Sequence, residues 1–133
     1  MRMEPEPQED PSQYQNSMLI YSLIVFTVGA SAGLALAAAY VLRQRLAPWP
    51  MSLLHAALGA TGLLLLIYPA LTTGISMAPL IALLILAIAA LAGIYLASIH
   101  ARGEIAKKPV VFVHAVVAVT GFLVLLGAVF DMF

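Results

Sequence analysis

The stretch PMSLLHAALGATGLLLL, residues 50–66, recurs without a gap as PVVFVHAVVAVTGFLVL, residues 109–125. The two copies share seven of 17 positions: one Pro, one His, one Ala, one Thr, one Gly and two Leu. Each copy opens a long apolar run and places a histidine, His55 or His114, five residues after a proline. A histidine inside a membrane-spanning segment is costly and is usually functional. The repeat therefore predicts two equivalent halves with one functional histidine in each.

Four apolar runs without Asp, Glu, Lys or Arg make up most of the chain: residues 18–42, 51–71, 77–99 and 110–130. The 133 residues are 63% hydrophobic and 9% charged, whereas soluble domains carry about 25% charged residues. A helix of about 20 residues crosses the roughly 30 Å hydrocarbon core of a bilayer. Four lipid-exposed strands, in contrast, cannot close a barrel. We therefore expect an all-α integral membrane protein with four transmembrane helices, embedded in a lipid bilayer.

The two halves are expected to be helical hairpins in the same orientation, at residues 18–71 and 77–133. Such parallel repeats are related by a pseudo-two-fold axis along the membrane normal, and a four-helix bundle is the simplest packing. Residues 1–17, which are acidic and rich in Pro, Glu and Gln, are expected to form a tail. The repeat also extends weakly upstream. LAAAYVLRQR (36–45) resembles LAGIYLASIH (91–100), which sets Tyr40 opposite Tyr95.

The charged residues are sorted between the two sides of the expected bundle. Five basic residues fall between the first and second runs or between the third and fourth: Arg43, Arg45, Arg102, Lys107 and Lys108. The positive-inside rule places both basic loops in the cytoplasm and both termini outside, in what we expect to be a bacterial inner membrane. The absence of cysteine excludes disulfides, iron–sulfur clusters and thiolate metal sites. Nucleic acid is not an expected partner, because the sequence has no block of basic residues.

Each repeat histidine begins a strip of small residues along one helix face. The strips are His55, Gly59 and Gly62 on the second helix, and His114, Ala118 and Gly121 on the fourth, each spaced i, i+4, i+7. A flat macrocycle such as haem needs a strip without bulky side chains beside its axial ligand. Imidazole suits iron, and loop cations such as Arg43 and Arg45 can pair with haem propionates. The candidate site is therefore one haem b with His55 and His114 as ligands of its iron.

Three other interpretations stay open. Small residues also allow two helices to pack closely. The histidines can instead hydrogen-bond to a carbonyl, to a lipid headgroup or to hydroxyls such as those of Thr61 and Thr120. A zinc, copper or non-haem iron site would recruit His100 as a third ligand, with or without Glu104. A histidine at that position is more often an interfacial residue, here beside Arg102.

A histidine near the start of alternate apolar helices, with small residues below it, resembles small b-type cytochromes and the haem-bearing membrane anchors of respiratory enzymes. The resemblance implies a helical membrane subunit with a bis-histidine haem. The chain departs from the cytochromes b that stack two histidines along one helix to hold two haems. Here each candidate helix has one histidine, so at most one bis-histidine haem fits.

We therefore expect a small membrane subunit that binds one haem b and takes part in electron transfer within a larger membrane complex. A quinone, another membrane subunit or a redox partner would exchange electrons with it, and we do not expect an enzyme in its own right. The alternative is an accessory subunit without a cofactor that packs against a larger complex through its small-residue faces. A lipid- or solute-handling protein is a third possibility, for which the sequence offers no polar pathway.

Overall fold

The computed structural model describes residues 10–132, which form four α-helices. These are α1 (Pro11–Val41), α2 (Trp49–Thr72), α3 (Met77–Ala101) and α4 (Lys108–Val129). The described residues form no strand, and each helix is long and apolar enough to cross a membrane. The expected all-α membrane architecture is confirmed.

The first helix begins earlier than the apolar run that forms most of it. The Asp10 carboxylate accepts a hydrogen bond from the Ser12 backbone N–H at 3.0 Å, and Pro11 occupies the first turn. Asp at the N-cap and Pro at the first helical position both favour a helix start. α1 therefore begins inside the expected tail of residues 1–17. Residues 1–9 of that tail lie outside the described residues.

Proline and glycine shape the ends of the other helices. Pro50 and Pro109 lie in the first turns of α2 and α4, where the missing N–H is not needed. α2 continues through Pro69 to Thr72, because Pro69 stands in the last turn and its loss of one donor is tolerated there. Gly74 then turns the chain with a φ of +76°.

The helices form an up-and-down bundle in the ring order α1–α2–α3–α4. Each helix packs on both of its neighbours, and packing is most extensive within the hairpins α1–α2 and α3–α4. Loops 42–48 and 102–107 lie at one end, called here the basic end, and loop 73–76 lies at the opposite end. The two hairpins are therefore parallel, and α2 and α4 face each other across the bundle.

Buried positions recur between the hairpins at fixed offsets. The offset is 60 residues between α1 and α3 and 59 residues between α2 and α4. The buried pairs are Leu19/Pro79, Ser22/Ala82, Leu23/Leu83, Gly29/Ala89, Gly62/Gly121 and Leu66/Leu125. An offset of 60 sets Tyr40 opposite His100, so the expected pairing of Tyr40 with Tyr95 is wrong. The alignment of Tyr40 with Tyr95 has an offset of 55, which is five residues short of 60. Five residues turn a helix by about 140°, so that alignment would bring a different face of α3 into the bundle.

Two apolar clusters lie above and below the middle of the bundle. The cluster at the opposite end consists of Leu19, Leu23, Leu66, Ala82, Leu83, Leu86 and Leu125. The cluster at the basic end consists of Ile99, Ala106 and Val111. In a lipid environment such clusters hold helices together by close packing rather than by exclusion of water. Both repeat histidines lie between the two clusters.

Candidate functional site

The first hairpin holds the His55 ring by a hydrogen bond and by a close backbone approach. Its Nδ1 lies 2.9 Å from the Gly29 carbonyl oxygen of α1. Because a carbonyl only accepts, Nδ1 carries the proton and donates, which leaves the Nε2 lone pair free. The ring also rests on Gly33, where an added Cβ would lie 2.8 Å from His55 Cε1. No residue larger than glycine fits at position 33 without displacing the ring.

The second hairpin repeats this arrangement around His114. Its Nδ1 donates to the Ala89 carbonyl oxygen of α3 at 3.0 Å. An added Cβ at Gly93 would lie 3.3 Å from His114 Cε1, so the approach is looser than in the first hairpin. His55 and His114 are each the seventh residue of their helix. At 1.5 Å per residue, both lie about 9 Å along the helix from its basic end.

The two histidine rings lie close together between the hairpins. Their centroids are 6.3 Å apart and their planes are nearly perpendicular, at 83°. Both residues are half-buried. Neither Nε2 has a hydrogen-bond partner among residues 10–132. No fully buried side-chain nitrogen or oxygen of this part of the chain lacks a partner, so the two Nε2 atoms border open space.

This pair fits the donor set of one metal ion with two opposed imidazoles. With a metal–nitrogen distance of about 2.0–2.1 Å and about 1.1 Å from nitrogen to ring centre, the two centroids would lie about 6.3 Å apart. The observed separation of 6.3 Å equals that value, and it also lies in the range of about 4.5–7 Å of an ordinary edge-to-face ring pair. Metal-bound histidines also commonly donate their second ring N–H to a backbone carbonyl. Both His55 and His114 make such a bond.

The small residues beside the histidines are of two kinds. An added Cβ at Gly62 would lie 2.7 Å from the Phe26 ring, and one at Gly121 would lie 2.8 Å from Leu86 Cγ. Side chains of α1 and α3 therefore already fill these two positions, which serve helix packing. Gly59, in contrast, meets nothing within 4 Å. Its counterpart on α4, Ala118, is half-buried.

The hydrogen bonds of the bundle decide between some of the alternatives raised by the sequence. Thr61 and Thr120 donate to Ala57 and Val116 of their own helices, so they are not the partners of the histidines. Backbone carbonyls are the partners instead, and they leave Nε2 available. Residues 10–132 contain no group of three or more His, Asp or Glu side chains able to hold a metal ion. The three-histidine site is therefore not formed in the described chain.

His100 belongs to a separate polar cluster at the basic end. It is 5% exposed, so its side chain is buried within the bundle, in the last turn of α3. Its Nδ1 is hydrogen-bonded to the Tyr40 hydroxyl and lies 3.5 Å from Ser52 Oγ. The Trp49 ring packs against it with centroids 4.3 Å apart. Arg102 turns away and pairs with Glu104 at 3.3 Å in the exposed loop.

The loop cations occupy different places relative to the histidine pair. Arg43 and Arg45 are exposed in loop 42–48, beyond the last turn of α1. Lys108 is the first residue of α4 and borders a groove between α1 and α4. From the sequence alone, any of these three residues could pair with an anionic group, because all of them lie in or beside the basic loops.

Sequence reasoning missed the residues that support the histidines. Gly33 and Gly93 belong to a motif, A-x-A-G-x-x-L-A, that occurs at residues 30–37 and 90–97. This motif has the 60-residue offset seen in the structure and would have identified both glycines. The carbonyls of Gly29 and Ala89 have no such signal, because every residue carries a carbonyl.

Comparisons with protein-family models, with curated proteins and with solved structures find no match for this chain.

Proposed function

We propose that the protein is a small integral membrane subunit that binds one haem b through His55 and His114 and takes part in electron transfer. The single observation that carries the proposal is the spacing of the two rings. Their centroids are 6.3 Å apart, each Nδ1 is held by a carbonyl and each Nε2 is free.

The chain's own contribution is to fix the two imidazoles before any ligand binds. The hydrogen bonds to Gly29 and Ala89 set the tautomer that presents Nε2 and fix the orientation of both rings. Gly33 and Gly93 let the backbones of α1 and α3 approach the rings and restrict their rotation. When bound, haem supplies one-electron redox chemistry. Apolar clusters lie on both sides of the site along the bundle.

The proposal includes an orientation and partners. The basic loops would lie in the cytoplasm of a bacterium, with both termini outside the inner membrane. Both histidines lie about 9 Å from the basic end of their helices, so one haem here does not span the bilayer. Electrons would therefore pass to or from a quinone, another membrane subunit or a cytoplasmic redox protein.

An accessory subunit without a cofactor is the competing proposal. It relies on small-residue faces that bind other subunits. Gly62 and Gly121, the most buried members of the two strips, are already covered by Phe26 and Leu86 of the same chain. They are thus not free to receive a helix from another protein. By the same contacts they do not border a haem, so only Gly59 and Ala118 of the two strips remain beside one.

The visible spectrum of the protein purified from haem-replete cells tests the proposal. We expect the sharp bands of low-spin haem b, and we expect His55→Ala or His114→Ala to abolish them by leaving one ligand position open. His100→Ala is the matched control, because His100 belongs to the other cluster, and it should keep the bands. Size-exclusion chromatography in detergent checks that each variant folds. A colourless wild-type protein that also fails to bind added haemin would refute the proposal.

A further inference from the structure

A shallow groove runs along the outside of the bundle between α1 and α4, beginning at the basic end. It has a volume of about 470 Å³. Its floor is the buried side chain of Val111, which belongs to the apolar cluster at this end. Of the described residues 10–132, only Lys108 brings a charge to the lining, and we call the feature the Lys108 groove. The rest of the lining is apolar and includes Ala37, Val41, Phe112 and Ala115.

The Lys108 groove has the polarity of a phospholipid molecule. Its charge lies at the end of the bundle, because Lys108 is the first residue of α4. Ala115 lies seven residues further along the same helix, which is about 10 Å at 1.5 Å per residue. The lining is apolar over this whole length, and the helices run across the membrane, as acyl chains do. A lipid with its headgroup at Lys108 would therefore have an acyl chain along the groove.

The charges around the rim of the groove favour an anionic headgroup. Lys107 precedes Lys108, and Arg43 follows the last turn of α1; all three are exposed. The acidic side chain in the loops of this end, Glu104, is paired with Arg102 at 3.3 Å. α4 has neither an acidic residue in its first turn nor a side-chain cap. The partial positive charge of its N-terminus therefore adds to the charge of the lysines.

We propose that the Lys108 groove binds one anionic phospholipid, with the phosphate against the Lys108 ammonium and one acyl chain along the apolar lining. A lysine can lay its aliphatic stem along an apolar wall and hold its charge at the rim, and its ammonium binds phosphate as a point charge. Basic pockets between transmembrane helices on the cytoplasmic side bind anionic headgroups. The orientation proposed above places the basic end on that side.

The lipid site is separate from the histidine pair and does not depend on haem binding. Neither His55 nor His114 lines the groove. α1 and α4 belong to different hairpins, and packing between the hairpins is less extensive than packing within them. A lipid in the groove would touch both hairpins at once and would strengthen their association.

The test measures which lipid lies beside Phe112 when the full chain is in bilayer vesicles. Trp49 is the only tryptophan of the chain, so a Trp49→Phe, Phe112→Trp variant has its one tryptophan at the groove. Bromine atoms on an acyl chain quench this fluorescence on contact. Trp49→Phe, Leu53→Trp is the matched control, because Leu53 has the equivalent position on α2. Leu53 is 61% exposed and Phe112 is 69% exposed.

Vesicles that contain a minority of brominated phosphatidylglycerol in phosphatidylcholine should quench position 112 more strongly than position 53. With the bromine on phosphatidylcholine instead, position 112 should be quenched less than position 53. Lys108→Met should lower the preference for phosphatidylglycerol at position 112 about tenfold, the size of a lost charge-assisted bond. Lys107→Met removes the same charge from a residue that does not line the groove. Its effect should be much smaller, because attraction through water is screened.

A second pair of variants tests the groove itself. Ala37→Phe fills the groove and should abolish the preference at position 112. Ala97→Phe places the same ring at the equivalent position of α3 and should leave the preference unchanged. Circular dichroism checks that each variant folds.

Three results would overturn the inference: equal quenching at positions 112 and 53, equal losses for the two lysine variants, or an unchanged preference in Ala37→Phe. Weak quenching of position 112 by both brominated lipids would also overturn it, and would indicate that protein covers the groove. None of these outcomes decides the haem proposal, which the visible spectrum tests separately.

Discussion

Replacing Gly33 with alanine tests how firmly the first hairpin holds His55. The added Cβ would lie 2.8 Å from His55 Cε1 and 3.2 Å from Nδ1. Carbon atoms in ordinary contact are about 3.5–4.0 Å apart, so the ring or the helix must move by about 0.7 Å. Metal–ligand distances tolerate only about 0.2 Å. The methyl group therefore disturbs the ligand geometry without removing the ligand.

The second hairpin supplies an internal control for this substitution. At Gly93 the added Cβ would lie 3.3 Å from His114 Cε1, so a movement of about 0.2 Å restores ordinary contact. We expect Gly33→Ala to weaken haemin binding by about 10–100-fold, the range seen when groups that orient a metal ligand are disturbed. Gly93→Ala should stay close to the wild-type affinity.

The assay is a haemin titration of each purified variant, followed by the absorbance of the low-spin bands. Helicity by circular dichroism checks that both variants fold. Equal affinities for the two variants, or a larger loss for Gly93→Ala, would refute the reasoning, because the two glycines would then not hold their rings as the structure places them.

Two further predictions concern packing and orientation. In the haem-free protein, Gly62→Ala should destabilise the bundle by about 1–3 kcal/mol in SDS unfolding, because its methyl group overpacks against Phe26. Gly59→Ala should be neutral or slightly stabilising, since nothing lies within 4 Å of its added Cβ. Similar losses of stability for Gly59→Ala and Gly62→Ala would contradict the close contact between Gly62 and Phe26. Cysteines placed at the exposed positions Gln44 and Glu104 should react with a membrane-impermeant maleimide only after the cells are opened. Labelling of either cysteine in intact cells would show that the basic loops lie outside the cytoplasm, opposite to the proposed orientation.

The number and type of helices could be predicted from the sequence because lipid leaves so few options. An uncharged apolar run of about 20 residues has to satisfy its backbone hydrogen bonds internally, and a single segment does so only as a helix. The first residue of α1 was harder to predict from the sequence. Its first turn depends on the Asp10 cap and on polar residues before Met18, which hydropathy does not register.

The pairing of the two histidines could be predicted because His55 and His114 are embedded in a conspicuous repeat of Pro, Thr and Gly. The match between α1 and α3 was harder to find, since Ala and Leu recur throughout these helices and support several alignments. The Tyr40–His100 contact follows only from the correct one. Residues at equivalent positions meet each other when they lie near the pseudo-two-fold axis, as His55 and His114 also do.

Each histidine and the carbonyl that orients it belong to the same hairpin, His55 with Gly29 and His114 with Ala89. A single hairpin therefore holds one histidine in its final orientation without help from the other hairpin. A ligand that binds both histidines would need both hairpins. Packing between the hairpins is less extensive than packing within them, so a ligand gripped from both sides would act as a cross-link. Cutting the chain in loop 73–76 should yield two fragments that reassemble when haemin is supplied. The same logic describes how such a protein could arise from a two-helix chain that first worked as a homodimer and was later fused by duplication.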